Sequence, residues 1–381
     1  MCHPRADLCA RISYERKHPV SKISNTSIAL DATYSVGANL SGVGVYSREI
    51  LHGLAHLHPG QQFAWCFRAH RYLRALKAPV PGNCRRRLLV ESWIPRCSLF
   101  HGLNQRLPAL RTGPRVVTFH DLFVLSGEYS TAEFRARFAA QAREAAARAD
   151  LIICVSAFTA SQVEHFLKVD RGRLRVIWHG VHPPTGALPL EEQRENIVLH
   201  VGALQARKNI VRLLQAFEHM DSPWRLVLAG SRGYGADAIA ERIAQSPARE
   251  RIEVTGYVTD EHLQSLYRRA KVLAFPSLDE GFGIPLLEAM AHGLPIITSS
   301  GSALQEVAAG AAILVNPRNV PQMAEALRAV AQDVALRQQL IAAGLKVAER
   351  HSWRDAAAKT WDVYRELIGQ ELNANLLPSI S

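Results

Sequence analysis

The hydrophobic positions of this chain recur as short apolar runs separated by segments with helical spacing. Six runs fall in the first half, at residues 27–31, 63–67, 98–102, 115–121, 151–156 and 175–180. Six more follow, at residues 196–202, 225–230, 252–256, 272–277, 295–300 and 311–315. Most of them lack an alternation of polar and apolar residues, which is typical of parallel strands covered on both faces. The runs are therefore predicted to be strands of parallel sheets.

Helices are predicted between many of these strands. The clearest helical spacing occurs at residues 131–149, 211–220, 260–270 and 321–350. An alternation of strand and helix, repeated twice, predicts an α/β protein with two doubly wound parallel-sheet (Rossmann-like) domains. We assign residues 26–183 to the N-terminal domain, 184–195 to a linker containing Pro and Gly, and 196–350 to the C-terminal domain. Ligands of such sheets bind at the carboxyl ends of the strands, so a cleft is expected there.

The composition fits a globular protein. A chain of 381 residues with 48% hydrophobic content is long enough for two buried cores. No apolar run reaches the roughly 18 residues of a membrane span, and residues 1–25 lack the apolar region of a signal peptide. Residues 1–25 are thus predicted to be a disordered extension, and the location to be cytoplasmic. The six cysteines form no Cys-x-x-Cys pair, which favours reduced thiols without disulfides or zinc.

The net charge of +11 comes from the first half of the chain. Residues 1–183 carry 25 Lys and Arg against 12 Asp and Glu, whereas the remainder carries 20 against 22. This asymmetry predicts that the N-terminal half meets an anionic partner, such as an acidic membrane face or a phosphorylated lipid. A solvated basic surface without a partner is the alternative. Nucleic acid would also suit the charge, but no nucleic-acid-binding motif is present, so it is not an expected partner.

The stretch LDEGFGIPLLEAM places Glu280 and Glu288 eight positions apart around a turn. The turn follows a predicted strand and leads into a helix that opens at Pro285, where free N–H groups and the positive end of the helix dipole favour phosphate. The residues at this helix start are Gly283, Ile284, Pro285 and Leu286. Glu288, one turn further on, is placed to accept hydrogen bonds from a ribose. An ordinary strand–turn–helix junction whose Glu satisfies the dipole is the alternative.

Two cations follow the first predicted strand of the C-terminal domain. Arg207 and Lys208 lie in ALQARKNIVRLLQAF, just before a helix. At an effective dielectric of about 20, a cation 4 Å from a phosphate contributes up to about 4 kcal/mol, so this pair is predicted to hold a diphosphate. A basic loop with Asn209 as helix N-cap is the alternative. In the N-terminal domain His120 directly follows an apolar run and therefore lies at the cleft edge, unless it is a structural histidine.

These segments resemble glycosyltransferase family 4 (group 1). The matching segments, in family order, are SGVGVYSREIL, LFHGLNQRLP, VVTFHDL, ADLIICVSAFTASQV, RLRVIWHGV, VGALQARKNIVRLLQAF, TGYVTDEHLQSLY and PSLDEGFGIPLLEAMAHGLPIITS. The resemblance covers residues 27–350 and implies the GT-B fold, in which two Rossmann-like domains face a central cleft. It implies a retaining enzyme that transfers a hexosyl group from a nucleotide-diphosphate sugar. Residues 351–372 are implied to form a helix that crosses back to the N-terminal domain.

The resemblance also implies roles for individual residues. Glu288 would bind the donor ribose and Glu280 the hydroxyls of the transferred sugar. Arg207 and Lys208 would hold the diphosphate together with the backbone of residues 283–286, and His120 would lie beside the reacting sugar. The implied catalytic residues are thus His120, Glu280, Arg207 and Lys208. The remaining donor-site residues are Gly42 and Gly44, which would face the diphosphate and the acceptor, and Tyr257 and Val258, which would frame the nucleobase.

The implied mechanism is attack by the acceptor on the face that the diphosphate leaves, which retains the anomeric configuration. Catalysis would then be positioning and electrostatic stabilisation of the leaving group. The sequence has no Asp-x-Asp motif of the metal-dependent type, so neither a metal ion nor another cofactor is expected. Two segments depart from the family pattern: residues 179–182 read His-Gly-Val-His where Asn-Gly-Val-Asp is usual, and residues 305–307 read Gln-Glu-Val where Pro-Glu-Val is usual. These changes bear on domain closure and on donor fit.

The acceptor is expected on the N-terminal domain. Likeness to mannosyltransferases of surface-polysaccharide pathways favours GDP-mannose as donor and a saccharide or polyprenyl-linked saccharide as acceptor. The basic segments at residues 70–77, 84–89 and 134–149 are predicted to contact an anionic membrane, which would make the protein peripheral on the cytoplasmic face. Solvated charged faces are the alternative. Two other GT-B activities, nucleotide-sugar epimerisation and glycan phosphorolysis, remain open.

Overall fold

The computed structural model describes residues 27–37, 39–91 and 95–374. The prediction for residues 1–25 falls outside this part of the chain. The described strands form two parallel sheets, one of seven strands and one of six. All neighbouring strands in both sheets run parallel, as the unbroken apolar runs indicated.

The seven-stranded sheet belongs to the N-terminal domain and has the order β3-β2-β1-β4-β5-β6-β7. Its strands are β1 (Ile28–Asp31), β2 (Phe63–Arg68), β3 (Cys84–Leu89), β4 (Leu99–Gly102), β5 (Arg115–Phe119), β6 (Leu151–Cys154) and β7 (Leu174–Val176). Its helices are α1 (Gly42–Leu57), α2 (Ala69–Lys77), α3 (Phe123–Ser126), α4 (Ala132–Arg148) and α5 (Ala157–Leu167). The chain winds from the centre to one edge and then from the centre to the other, which confirms the doubly wound prediction.

The six-stranded sheet belongs to the C-terminal domain and repeats this winding in the order β10-β9-β8-β11-β12-β13. Its strands are β8 (Ile197–Val201), β9 (Arg225–Ala229), β10 (Ile252–Gly256), β11 (Val272–Phe275), β12 (Ile296–Ser299) and β13 (Ile313–Val315). Its helices are α6 (Ile210–Phe217), α7 (Ala236–Ala244), α8 (Asp260–Arg269), α9 (Ile284–Ala291), α10 (Ser302–Ala308), α11 (Val320–Gln332) and α12 (Val334–Ala348). In each sheet the winding reverses beside the central strand, where ligands of such sheets bind.

Both faces of the first sheet are buried, because alternate residues of one strand enter different cores. Ile28 and Leu30 pack with α1 on one face, whereas Ala29 packs with α4 on the other. A strand covered on both faces has no solvent side to carry polar residues. This explains why β1 is apolar throughout in the sequence.

The last helix, α13 (Trp353–Ala374), packs on the N-terminal domain although it follows the C-terminal one. Trp353, Trp361 and Tyr364 are buried in the same core as α1. The two helices approach closely at Gly53, where a Cβ atom would lie 2.8 Å from that of Ala357. A short helix–helix distance of this kind requires small residues at the contact.

Two elements differ from the sequence prediction. The sequence predicted only a basic surface at residues 84–89, but these residues form β3 at the sheet edge. Cys84 and Leu89 are buried in this strand, whereas Arg85 and Arg87 are exposed. The predicted helix at residues 321–350 is divided at Asp333, whose side chain accepts a 2.9 Å hydrogen bond from the Leu336 N–H. An N-cap carboxylate satisfies a backbone donor and starts a new helix. None of the described helices is long and apolar enough to cross a bilayer.

Candidate active site

A cavity of about 550 Å³ lies between the two domains at the carboxyl ends of the strands. The loops after β1, β5, β8 and β11 all open into it, as the winding of the two sheets requires. Of the predicted site residues, those that line it are Gly42, His120, Arg207, Lys208, Tyr257, Val258, Glu280, Gly283, Ile284, Pro285 and Glu288. The structure thus brings together residues that lie as much as 246 positions apart in the sequence, Gly42 and Glu288.

A buried ionic cluster lines this cavity. The Arg207 Nη1 atom lies 2.8 Å from Glu280 Oε2, and the Lys208 ammonium contacts Glu280 Oε1. Burial by itself would raise the pKa of Glu280, but Arg207 and Lys208 outweigh it and hold that pKa at about 2. Burial lowers the pKa of Lys208, although the Glu280 charge opposes this effect. With one carboxylate against two cations, these three side chains carry a net positive charge when all are ionised.

Aromatic rings fix the two cations from opposite domains. The Arg207 guanidinium lies 4.4 Å from the ring centre of Phe123 on α3, and Lys208 Nζ lies 4.7 Å from that of Phe275 on β11. Asn209 follows in the left-handed region with φ of +61°. Its side-chain amide donates to the carbonyl oxygens of Pro276 and Pro317 at 3.0 and 2.6 Å. Asn209 therefore stands at the N-cap position of α6, as the alternative reading had it, but its side chain makes no capping hydrogen bond to the helix.

The helix start that lines the cavity with these cations offers fewer free donors than predicted. Gly283 has a φ of +97°, which favours glycine, and α9 then begins at Ile284. The Leu286 N–H donates to the Gly283 carbonyl at 2.9 Å, and the Leu286 side chain is fully buried in the core. The prediction of a free Leu286 N–H in the cleft is therefore wrong, and Leu286 does not line the cavity. Pro285 has no N–H, which leaves the backbone of Gly283 and Ile284 at the cavity wall.

The glycines after β1 have different environments. Gly42 begins α1 and lines the cavity. Gly44 is buried, and a Cβ atom there would lie 2.9 Å from the Tyr34 carbonyl oxygen. The prediction that Gly44 faces the ligand is therefore wrong, because this glycine allows α1 to pack against the preceding turn. Ser41 caps the helix by accepting a hydrogen bond from the Gly44 N–H at 3.4 Å.

Glu288 lies one turn into α9, as predicted, and a tyrosine holds it. The Tyr267 hydroxyl on α8 donates to Glu288 Oε2 at 2.8 Å. Burial raises the pKa of Glu288, and the nearby charge of Asp260 raises it further. Asp260 itself lines the cavity beside Tyr257, which is 43% exposed. This end of the cavity therefore combines two carboxyl groups with an accessible aromatic ring.

His120 is buried at the end of β5 and is not charged. Its Nε2 atom lies 2.9 Å from the Leu103 carbonyl oxygen, and burial lowers the pKa of the ring to about 4. The loops of the two domains meet here, since a Cβ atom at Gly281 would lie 1.7 Å from the His120 carbonyl oxygen. Glycine is thus required at position 281 for the domains to approach each other at this point.

Three titratable residues of the cavity were not among the site residues predicted from the sequence: Asp121, His179 and Asp260. Asp121 directly follows His120, so its position after a strand was available as a signal; burial raises its pKa to about 6. His179 was noted only as a departure from the family pattern, and Asp260 only as the start of a helix. In the part of the chain that the structure describes, no three His, Cys, Asp or Glu side chains converge as metal ligands would.

Glu306, in the second departure from the family pattern, lies at the interface between the domains and does not line the cavity. Its carboxylate accepts hydrogen bonds from the N–H groups of Ala157 and Phe158 at 2.9 and 3.1 Å, at the start of α5. It also accepts one from Trp178 Nε1 at 2.8 Å. A carboxylate at a helix N-terminus is stabilised by the free donors and the dipole. The C-terminal domain therefore caps a helix of the N-terminal domain.

Comparisons with known proteins agree with this arrangement. Residues 189–347 match the family model for glycosyl transferases group 1, and residues 40–183 match that for Glycosyltransferase Family 4. The chain is 30% identical to O-antigen chain mannosyltransferase B of Escherichia coli over 284 residues, which are 71% of this chain and 74% of that protein.

Solved structures show the same fold at lower identity. Sucrose-phosphate synthase from Thermosynechococcus elongatus superposes with a TM-score of 0.74 at 23% identity, over 91% of this chain and 100% of that one. Anabaena HepE, in complex with UDP and glucose, superposes with a TM-score of 0.70 at 15% identity, over 90% and 100%. The chain therefore belongs to the group 1, family 4 glycosyltransferases, and its two Rossmann-like domains form the GT-B fold.

Proposed function

We propose that this glycosyltransferase moves a mannosyl group from GDP-mannose to a saccharide or polyprenyl-linked saccharide acceptor in the synthesis of a surface glycan, with retention of configuration. The observation that carries the proposal is the pair of buried cations, Arg207 and Lys208, which line the interdomain cavity together with the start of α9. Positive charge and free N–H groups in the wall of one cavity suit a diphosphate. The relationship to an O-antigen mannosyltransferase supports the choice of sugar and pathway.

The donor would extend along the cavity from the cations to Tyr257 and Asp260. The diphosphate would lie between the two cations and the backbone of Gly283 and Ile284, and Glu288 would accept hydrogen bonds from the ribose. The nucleobase would then lie at the end of the cavity that holds Tyr257 and Asp260. A carboxylate there can accept from the N1–H and amino groups of guanine, whereas uracil offers only one N–H, which supports a guanosine nucleotide.

The reaction would proceed by stabilisation of the leaving diphosphate. Arg207 and Lys208 carry charge before the reaction begins, and Phe123, Phe275 and Glu280 fix their positions. Preorganised charges of this kind lower the barrier without reorganisation during the step. His120, being neutral, would contribute a hydrogen bond beside the sugar and no charge. Metal-independent catalysis is part of the proposal.

A ligand screen followed by a turnover assay tests the proposal. We expect GDP-mannose and GDP to raise the melting temperature more than UDP-glucose and ADP-glucose do, because the carboxyl group of Asp260 selects guanine. GDP release should then require an acceptor, and it should continue in the presence of EDTA. Acceptor-independent conversion of the donor would indicate epimerisation instead, and consumption of inorganic phosphate with a glycan would indicate phosphorolysis. Stabilisation by UDP-sugars alone would overturn the choice of donor.

We also propose that the acceptor-side domain contacts an anionic membrane on the cytoplasmic face. Helix α2 exposes 76% of Leu73 and 52% of Leu76, and Arg74 and Lys77 beside them are exposed too. Apolar side chains flanked by cations are typical of a helix at a bilayer surface. Arg86 does not belong to this surface, because its guanidinium donates to backbone carbonyls of the α2 region, including that of Ala75 at 2.9 Å.

A second basic segment, α4, lies on the other side of the domain. Ala75 of α2 packs in the core that contains α1, whereas Ala142 of α4 packs in the core on the opposite face of the sheet. One flat bilayer cannot contact both helices at once. Since α2 exposes two leucines and α4 exposes Phe134 as its large apolar residue, we assign the membrane contact to α2.

A further inference from the structure

The ring of His179 is enclosed by aromatic side chains where the two domains meet α13. Its centroid lies 5.1 Å from that of Tyr46, 4.5 Å from that of Phe282 and 5.5 Å from that of Trp353. These neighbours belong respectively to the N-terminal domain, the C-terminal domain and the last helix. Only 3% of His179 is exposed. The position of the imidazole is thus fixed from three directions.

The backbone around His179 is fixed as well. A Cβ atom at Gly180 would lie 2.0 Å from the Trp353 N atom, so that only glycine fits against the start of α13. The Val181 N–H donates to the His351 carbonyl oxygen at 3.1 Å. The side chain of His179 consequently has little freedom to turn away from the cavity that it lines.

The Nδ1 atom of His179 lacks the kind of partner that at least one ring nitrogen of other buried histidines has. His101 contacts two hydroxyl groups, and His120 and His200 each contact a backbone carbonyl oxygen. His179 Nδ1 is buried and has no hydrogen-bond partner among the described residues. Buried polar groups are almost always paired, and an unpaired one costs stability. A ligand that supplies the partner would account for this cost.

The character of the ring indicates which kind of ligand group it would take. Burial, reinforced by neighbouring His120, lowers the pKa of His179 well below its usual value, so the imidazole is neutral and offers one donor and one acceptor. A sugar hydroxyl is likewise both donor and acceptor. The cations Arg207 and Lys208 in the same cavity would bind a diphosphate more strongly than a neutral imidazole does.

His179 also lies beside the groups that surround the reacting sugar in the proposed function. Its ring is nearly parallel to that of His120, with centroids 5.8 Å apart, and it contacts Phe282, two positions after Glu280. We propose that His179 binds a hydroxyl of the transferred hexosyl group and forms, with His120, a neutral imidazole pair for sugar recognition. This inference rests on the proposed function, since it requires a nucleotide-sugar donor.

The substitution His179→Phe tests the inference, because it keeps an aromatic ring among Tyr46, Phe282 and Trp353 while removing both nitrogens. Affinities for GDP and GDP-mannose, and for UDP and UDP-glucose, are measured by calorimetry for the wild type and the variant. We expect the nucleoside diphosphate to bind equally well to both proteins. The ratio of the affinity for the nucleotide-sugar to the affinity for the nucleoside diphosphate should fall roughly 3- to 10-fold in the variant, which corresponds to the loss of one hydrogen bond. His351→Phe is the matched control, since this ring stacks on Trp178 outside the cavity.

A set of monodeoxy donors identifies the hydroxyl. Removal of the hydroxyl that His179 binds should weaken the wild type and leave His179→Phe unchanged, whereas the other deoxy donors should affect both proteins alike. The inference is overturned if the variant binds every donor as the wild type does, or loses affinity for the free nucleotide to the same extent. If the wild type binds none of these nucleotides and nucleotide-sugars, the proposed function itself fails.

Discussion

The hydroxyl of Tyr267 donates a 2.8 Å hydrogen bond to Oε2 of Glu288, the second glutamate of the LDEGFGIPLLEAM segment. Tyr267 lies in α8 and Glu288 in α9, so the contact joins two helices that both reach the cavity. The tyrosine ring is stacked on His292, whose Nδ1 atom lies 2.7 Å from the Glu288 carbonyl oxygen. Glu288 is therefore held through its side chain and its backbone, with one carboxylate oxygen left for a ligand.

Tyr267→Phe should raise the KM for the nucleotide-sugar about 5- to 10-fold and change kcat little. The substitution keeps the ring against His292 but removes the hydrogen bond that orients Glu288, and the ribose contact is expected to be equal in the ground state and the transition state. Steady-state kinetics with varied donor measure the effect. Tyr364→Phe is the control, because it removes a buried hydroxyl that contacts His101 outside the cavity. An equal rise in KM in both variants would assign the effect to general loss of packing.

Lys208→Ala should lower turnover roughly 100-fold or more. The substitution removes one of two preorganised charges beside the leaving diphosphate and leaves Arg207 alone to neutralise Glu280. Single-turnover rates at saturating donor measure the effect, so that weaker binding does not contribute. Lys346→Ala, at an exposed lysine of α12, should leave the single-turnover rate unchanged. Near-normal turnover of the Lys208 variant would refute its role.

Glu306→Gln should favour a more open arrangement of the two domains. The substitution removes the charge that caps α5 across the interface, a contribution of about 1 kcal/mol, which corresponds to about fivefold in a conformational equilibrium. Small-angle X-ray scattering without ligand should show a larger radius of gyration than for the wild type. Glu325→Gln, at an exposed residue of α11, serves as control. An unchanged radius in the Glu306 variant would show that the cap does not control closure.

The strands and their winding were predictable because both sheets are buried on both faces, which produces unbroken apolar runs. The edge strand β3 was not, because Arg85 and Arg87 point to solvent and break the apolar pattern. The site was predicted in part, since residues that directly follow a strand, such as His120, are identifiable from sequence. The Leu286 and Gly44 predictions failed because hydrogen bonding within a turn and close packing of α1 depend on coordinates.

Acid should destabilise the C-terminal domain partly through His200. This residue is fully buried, its Nδ1 atom lies 3.0 Å from the Ala274 carbonyl oxygen, and burial lowers its pKa to about 4. An imidazole whose pKa is lower in the folded state contributes stability above its unfolded pKa near 6.5 and loses it as the pH falls towards 4. His200→Asn can keep the hydrogen bond but does not titrate.

Between pH 7 and pH 5 the His200→Asn variant should therefore lose about 2 kcal/mol less stability than the wild type, since one group contributes about 1.4 kcal/mol per pH unit below pH 6.5. The free energy of unfolding of both proteins is measured with denaturant across this pH range. A loss of packing from the smaller side chain shifts the whole curve of the variant and does not alter its slope with pH. His219→Asn, at an exposed position, should follow the wild type. Parallel pH curves for wild type and His200→Asn would show that His200 does not titrate as inferred.

The proposed membrane contact of α2 can be separated from general charge attraction by comparing the two basic helices. Arg74→Ser with Lys77→Ser should lower binding to phosphatidylglycerol-containing vesicles roughly 30-fold at low salt, since each cation near an anionic surface contributes about 1 kcal/mol. Leu73→Ser with Leu76→Ser should lower it at high salt too, where screening leaves the apolar contribution. Phe134→Ser with Arg137→Ser on α4 is the matched control. Helix α4 lies on the opposite face of the sheet from α2. If only the α4 variant lost vesicle binding, α4 and not α2 would be the helix that contacts the membrane.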